Sequence, residues 1–146
     1  MVLLKILIDT LKSSEEDGRA AIESLINLSE FQCDIFRNYL KETVHVVSEI
    51  ASCSKFDDST RASALDLIIV ISQHMAEDLT KISETKDMLF PALLYMAMET
   101  DHQDSLDEWI ADQESDEIKS GPSYTANNAL SRLAIELGGQ AIANLI

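Results

Sequence analysis

Apolar residues recur along this chain at spacings of three and four, and polar breaks divide them into helix-length runs. Leu3, Leu4, Leu7, Ile8 and Leu11 share one face of a helix over Val2 to Lys12, because 3.6 residues per turn brings such positions together. Ser13 with Glu16 has the form of a capping box. It opens a second helix, Glu15 to about Glu30, with Ala21, Ile22, Leu25, Ile26 and Leu28 inward. A third, about Asp34 to Ser52, is amphipathic through Ile35, Phe36, Leu40, Val44, Val47 and Ile50, and a polar turn over Ser54 to Asp58 follows. Asp58 can cap a fourth helix, whose inner face runs Ala64, Leu65, Ile68, Ile69, Met75 and Ala76. Beyond a break at Ser83 to Thr85, a fifth helix extends from about Lys86 to Met98. Its Pro91 either kinks it or marks its first turn. A sixth begins near Ser123, packs through Ala129, Leu130, Leu133, Ala134 and Leu137, and ends at Gly138-Gly139, after which Gln140 to Ile146 starts another. The alternation of β-branched and aromatic residues that strands need is missing, so the chain is all-α.

The helices repeat. Ala21-Ile22-x-x-Leu25-Ile26, Ala64-Leu65-x-x-Ile68-Ile69 and Ala129-Leu130-x-x-Leu133-Ala134 stand in one register, 43 and then 65 residues apart. The first spacing falls in the roughly 40 to 47 residue period of HEAT and armadillo helix pairs, and the second exceeds it by about 22. Arg19 and Arg61 precede the aligned alanines by two and three residues. The fold expected is a HEAT-repeat α-solenoid of antiparallel helix pairs, with repeats at about 1–31, 33–79 and 86–137, an insertion at 101–122 in the third, and the start of a fourth at 140–146. Both ends of the chain are apolar, MVLLKILI and AIANLI, whereas the outer faces of terminal repeats are polar, so a piece of a longer array is expected.

The insertion is the compositional exception. Asp101 to Ile118 carries eight carboxylates, no Lys or Arg, and the only tryptophan, Trp109. Like charge at this density buries too little apolar surface to offset ordering entropy, which predicts a solvated segment. Insertions in solenoids map to loops on one face, often the binding face, and a tryptophan among charges either holds the loop to the solenoid or meets a partner.

Charge sharpens the partner class. With 26 acidic against 11 basic residues, the formal net charge is −15, which repels phosphate backbones and anionic lipid and attracts basic proteins. Neither nucleic acid nor membrane is an expected partner. The apolar start is eight residues long, too short to span a bilayer and without a small-residue cleavage site, so a soluble intracellular protein is expected. Cys33 and Cys53 are lone thiols without zinc spacing or a disulfide framework.

Candidate chemistry is sparse. His45, His74 and His102 lie in separate segments beside no nucleophile signature, and no glycine-rich phosphate loop is present, so neither an enzyme nor a cofactor is predicted. A calcium loop laid on Asp101 puts Gln103, Ser105, Asp107, Trp109 and Asp112 at ligand positions. It also puts Leu106 where the sharp turn requires glycine and Asp112 where a bidentate glutamate is required, so no metal site is expected.

SALDLIIVISQHMAEDLTK, FPALLYMAMETDHQDSLDEW and NNALSRLAIELGG, between Ser63 and Gly139, together resemble the importin-beta family of nuclear transport receptors, especially the branch called karyopherin beta three or importin five. The resemblance lies in the Ala64-Leu65-x-x-Ile68 helix, the methionines Met96 and Met98, the acidic Asp107-Glu108-Trp109 element, and the Ala129-Leu130-Ser131-Arg132 helix closing on Leu137-Gly138-Gly139. Asn127-Asn128 depart from the more familiar Glu-Ser. The first 60 residues fit only as generic HEAT repeats.

The resemblance implies a receptor that shuttles between cytoplasm and nucleus through the nuclear pore. Such receptors bind basic nuclear-localisation-signal cargo, pass phenylalanine-glycine nucleoporins and release cargo to the GTPase Ran. It also implies that Asp104, Asp107, Glu108, Trp109, Asp112, Glu114, Asp116 and Glu117 contact Ran or cargo. The alternative is a generic HEAT scaffold whose acidic loop only solubilises.

Overall fold

The computed structural model describes residues 2–99, 121–139 and 143. Among them are the α-helices α1 (Val2–Ser13), α2 (Glu15–Gln32), α3 (Leu40–Ser52), α4 (Asp58–Lys81), α5 (Phe90–Ala97) and α6 (Pro122–Leu137). A 3₁₀ segment, Cys33–Tyr39, leads into α3, and a π turn, Thr85–Leu89, leads into α5. No strand occurs among the described residues.

The helices pack as three pairs, α1 with α2, α3 with α4 and α5 with α6. The second members, α2, α4 and α6, lie side by side in one layer, and α3 bridges α1 and α5 in the other. Between the layers runs one continuous core in which Leu7, Ile22, Phe36, Val44, Leu65, Ile68, Leu93, Met96 and Leu133 are buried. Burying such side chains stabilises by about 1.5–3 kcal/mol each, and no single pair could enclose them.

Polar contacts repeat with the same period. Arg19 donates to Ser59 Oγ at 2.8 Å across 40 positions, and the Asp57 N–H donates to Glu15 Oε1 at 2.7 Å across 42. Arg37 meets Asp78 and Lys41 meets Glu84 in the same manner. The Glu84 carboxylate is held below its ordinary pKa, first by a hydrogen bond from its own backbone N–H and then by Lys41.

Several helix boundaries differ from the expected ones. Ser14, not Ser13, caps α2, accepting from the Asp17 N–H at 3.3 Å. Ser13 still belongs to α1, and its hydroxyl donates back to the Asp9 carbonyl at 2.9 Å. Asp58 opens α4 as its first residue rather than capping it. The residue before it, Asp57, receives α4's first backbone bonds at its carbonyl and makes no side-chain cap. The third helix is α-helical only from Leu40. At 3.0 residues per turn the preceding 3₁₀ segment turns Cys33 and Phe36 inward, which leaves Ile35 38% exposed. Pro91 occupies the first turn of α5, where its missing N–H costs nothing, and the residues expected to begin that helix form the π turn. α4 departs from helical geometry at Met75 (φ −135°, ψ 34°).

Cys33 and Cys53 are both free and half-buried. Burial, followed by the neighbouring Asp34 carboxylate, pushes the Cys33 thiol up from its ordinary range, so it is protonated at neutral pH.

The root of the acidic insertion as candidate functional site

Asp104, Asp107, Glu108, Trp109, Asp112, Glu114, Asp116 and Glu117 all lie outside the described residues. The structure describes the two points between which they are strung. On the outgoing side α5 closes with Met98 N–H donating to the Leu94 and Tyr95 carbonyls, both at 3.1 Å, and Glu99 N–H donating to Met96 at 3.2 Å. On the return, Gly121 adopts φ +120°, a conformation strained for any residue with a Cβ, and its carbonyl accepts the Thr125 N–H at 3.0 Å. Pro122, expected within the insertion, is the first residue of α6. Ser123 Oγ then donates to the Ala97 carbonyl at 2.9 Å, which ties the return to the end of α5.

Arg61 holds the outgoing side. Its side chain is 2% exposed, and its guanidinium meets Glu99 as a fork, Nη1 to Oε2 at 2.7 Å and Nη2 to Oε1 at 2.8 Å. Nε donates to the Ala51 carbonyl at 2.9 Å, and Asp58 stands 3.7 Å from Nη1. Two oriented bonds to one carboxylate give geometric specificity that an ammonium lacks. Repeat register singles out Arg19 and Arg61 in the sequence, but nothing there marks Arg61 as buried or Glu99 as its partner.

Two grooves complete the surroundings. Between α4 and α6 a small cleft of about 140 Å³ is lined by Asp66, Tyr124, Thr125 and Asn128, and Arg132 bridges to Asp66 at 3.0 Å. On the other layer, a wider, mainly apolar groove of about 750 Å³ lies between α3 and α5, bordered by Ser48, Ser52, Cys53, Met88, Pro91 and Tyr95. Beside it α5 presents Pro91, Leu94, Tyr95 and Met98 to solvent at i, i+3, i+4 and i+7, with Met98 81% exposed. A helix that is apolar all round needs cover on both faces, and sequence periodicity alone does not reveal the outer one.

Among the described residues no three His, Cys, Asp or Glu side chains converge. His45 faces Glu49 at 3.2 Å on one helix, and His74 is exposed next to the bend in α4. No described helix is long and apolar enough to cross a membrane.

Stacked helix pairs with one long acidic insertion between paired helices define a HEAT-type α-solenoid. The family profile described as Importin repeat matches residues 53–144, and the chain belongs to that importin-beta family. Importin subunit beta-3 of Saccharomyces cerevisiae is 25% identical over 149 aligned positions, covering 97% of this chain and 14% of the relative. Among solved structures, Kap121p bound to RanGTP superposes with a TM-score of 0.81 at 26% identity. Kap121p bound to the extreme C-terminus of the protein phosphatase Cdc14p gives the same values, and each match covers 97% of this chain and 14% of the other. The chain therefore spans about one-seventh of the length of these relatives.

Proposed function

We propose that this chain serves a nuclear transport receptor, contacting basic cargo and Ran through the acidic insertion carried at the α5–α6 edge. The observation that carries the reading is the rooted insertion itself. A segment bearing Asp104, Asp107, Glu108, Trp109, Asp112, Glu114, Asp116 and Glu117 starts and ends at points tied to packed helices, in a chain whose relatives crystallised with RanGTP and with the extreme C-terminus of the protein phosphatase Cdc14p. The helix pairs are read as three HEAT repeats, with the insertion joining the two helices of the third. Traffic between cytoplasm and nucleus follows from the same reading.

Exposed ion pairs contribute about 0–1 kcal/mol each, so affinity requires several at once, and the main effect of the charge is on association rate. Neutralising Asp107, Glu108, Asp112 and Glu114 to their amides is expected to slow association with RanGTP or a lysine-rich cargo peptide about tenfold at low salt. The difference should shrink as salt shortens the screening length to about 8 Å. Stopped-flow binding measures it. Unchanged rates for both ligands would remove the insertion from the site.

The α3–α5 groove favours a second contact, with phenylalanine-glycine nucleoporins, because an open apolar groove beside Leu94, Tyr95 and Met98 suits single aromatic side chains between flexible glycines. Tyr95→Ala is expected to weaken a phenylalanine-glycine peptide about fivefold or more, given that one buried aromatic contact contributes roughly 1 kcal/mol. Binding of the lysine-rich peptide should not change. Titration of both peptides checks this, and equal affinity of the variant and the parent for the phenylalanine-glycine peptide would exclude the groove.

A further inference from the structure

Both walls of the groove between α3 and α5 are tied in place. Buried Arg61 donates to the Ala51 carbonyl in the last turn of α3 and to the Glu99 carboxylate just beyond α5. Toward the other end, His45 on α3 stands 3.3 Å from Met88 Sδ on the π turn and 3.2 Å from Glu49. A trough held this way needs little ordering when something binds, which removes one of the costs of association.

The chemistry of the groove narrows what fits it. Along α5, Pro91, Leu94, Tyr95 and Met98 form an exposed apolar ridge. The charged side chains in the lining are Glu49 and Asp87, and neither Lys nor Arg is among them; Lys86, in the same π turn as Asp87, stands outside the lining. Donors are scarce. The Ser48 hydroxyl is turned back on the Val44 carbonyl and the Ser52 hydroxyl on the Ser48 carbonyl, both at 2.7 Å, and Pro91 has no N–H. An extended peptide laid along this groove would bury backbone carbonyls unpaired. A helix brings its backbone already bonded, and its side-chain ridge packs into the trough between two other helices.

We propose that the α3–α5 groove is a docking site for an amphipathic helix of a partner protein, one that carries Lys or Arg beside its apolar stripe. The stripe would lie on the α5 ridge, and the basic residues would meet Glu49 and Asp87, which fix its orientation more than they add affinity. Such a helix differs from the phenylalanine-glycine segments considered above, which insert single rings and leave their backbone in water, and the two would exclude each other.

A fluorescein-labelled peptide of about 18 residues, with leucines at i, i+3, i+4 and i+7 and lysines beside them, probes the groove by anisotropy against the 146-residue chain. Glu49→Gln with Asp87→Asn is expected to weaken it about fivefold at low salt, the scale of two rim ion pairs. Removing as many carboxylates from α2 in the other layer, by Glu16→Gln with Glu23→Gln, should change it by less than about twofold, because the attraction falls with distance. Ser52→Trp fills the groove from the exposed end of α3 without altering charge and should weaken the peptide about tenfold. A proline at the centre of the peptide, which breaks its helix, should do the same.

Equal weakening by the two neutralised pairs would mean a general attraction to an acidic chain and overturns the proposal. Undiminished binding of the proline peptide, or of the parent peptide to Ser52→Trp, overturns it as well. Circular dichroism verifies that each variant is folded, and the exposed Glu49 and Asp87 carry the test if Ser52→Trp is not. If the lysine helix fails to bind while a phenylalanine-glycine peptide binds and responds to Tyr95→Ala, the helix assignment is overturned and the proposed function stands. Failure of both peptides overturns the groove as a site.

Discussion

Glu99→Leu is expected to lower the stability of the helical array by about 3 kcal/mol, the low end of the range for breaking a buried ion pair. The cost arises from what is left behind. Arg61 is buried and bonded by both Nη atoms to the Glu99 carboxylate, and with leucine in place the guanidinium retains only the Ala51 carbonyl and a distant Asp58. The partial exposure of Glu99, 20% of its side chain, admits water and sets the low end rather than the high one. Arg61→Met with Glu99→Leu removes both charges, and the double variant should recover most of the loss, because an apolar pair of similar volume needs no desolvation of charge. Urea unfolding of the four proteins in the cycle measures the coupling. Additive losses would mean that Arg61 and Glu99 do not act as a pair.

Gly18→Val should destabilise the first helix pair by about 2–3 kcal/mol, as overpacking of a close contact does. Gly18 is buried where α2 crosses α1, and an added Cβ would stand 2.3 Å from Leu11 Cδ2, 2.5 Å from Leu11 Cγ and 2.9 Å from Leu11 Cα. The side-chain atoms can rotate away, whereas the Cα cannot move without α1 moving. Even Gly18→Ala, which gains about 1 kcal/mol of helix propensity, should therefore lose stability overall. Adding Leu11→Ala should relieve only part of the clash. Thermal unfolding followed at 222 nm reads these differences; a Gly18→Ala chain as stable as the parent would show that α1 yields at little cost.

Both substitutions act where the sequence is least legible. Gly18 follows Asp17 in a helix start, and in sequence it reads as a weak helix position; its need arises only from the distance to α1. Arg61 reads as a polar residue before an apolar face, yet its guanidinium lies inside because Ala51, Asp58 and Glu99, from three segments, supply its partners. Cap assignments shifted by one residue at Ser14 and at Asp58, where two neighbouring residues of the same type leave the local rule without a preference. The inward face over Asp34 to Tyr39 shifted because a 3₁₀ segment changed the period from 3.6 to 3.0 residues.

The amino-acid sequence by itself determined the helical class and the inward faces of α4 and α6, and that of α2 apart from Leu28, which lies outside the core while Ser29 is buried, because these follow from periodicity along a single chain. Its resemblance to the importin-beta family rests on local motifs of the same kind and agrees with the match over 53–144. The tertiary structure alone decided which layer each helix joins, that α5 carries a second apolar face beside an open groove, and that a buried arginine holds the root of the acidic stretch. The division has a physical origin. Helical periodicity records one burial direction per helix, whereas Arg61–Glu99 and Gly18–Leu11 are relations between segments 38 and seven positions apart, whose meeting is set by how helices stack.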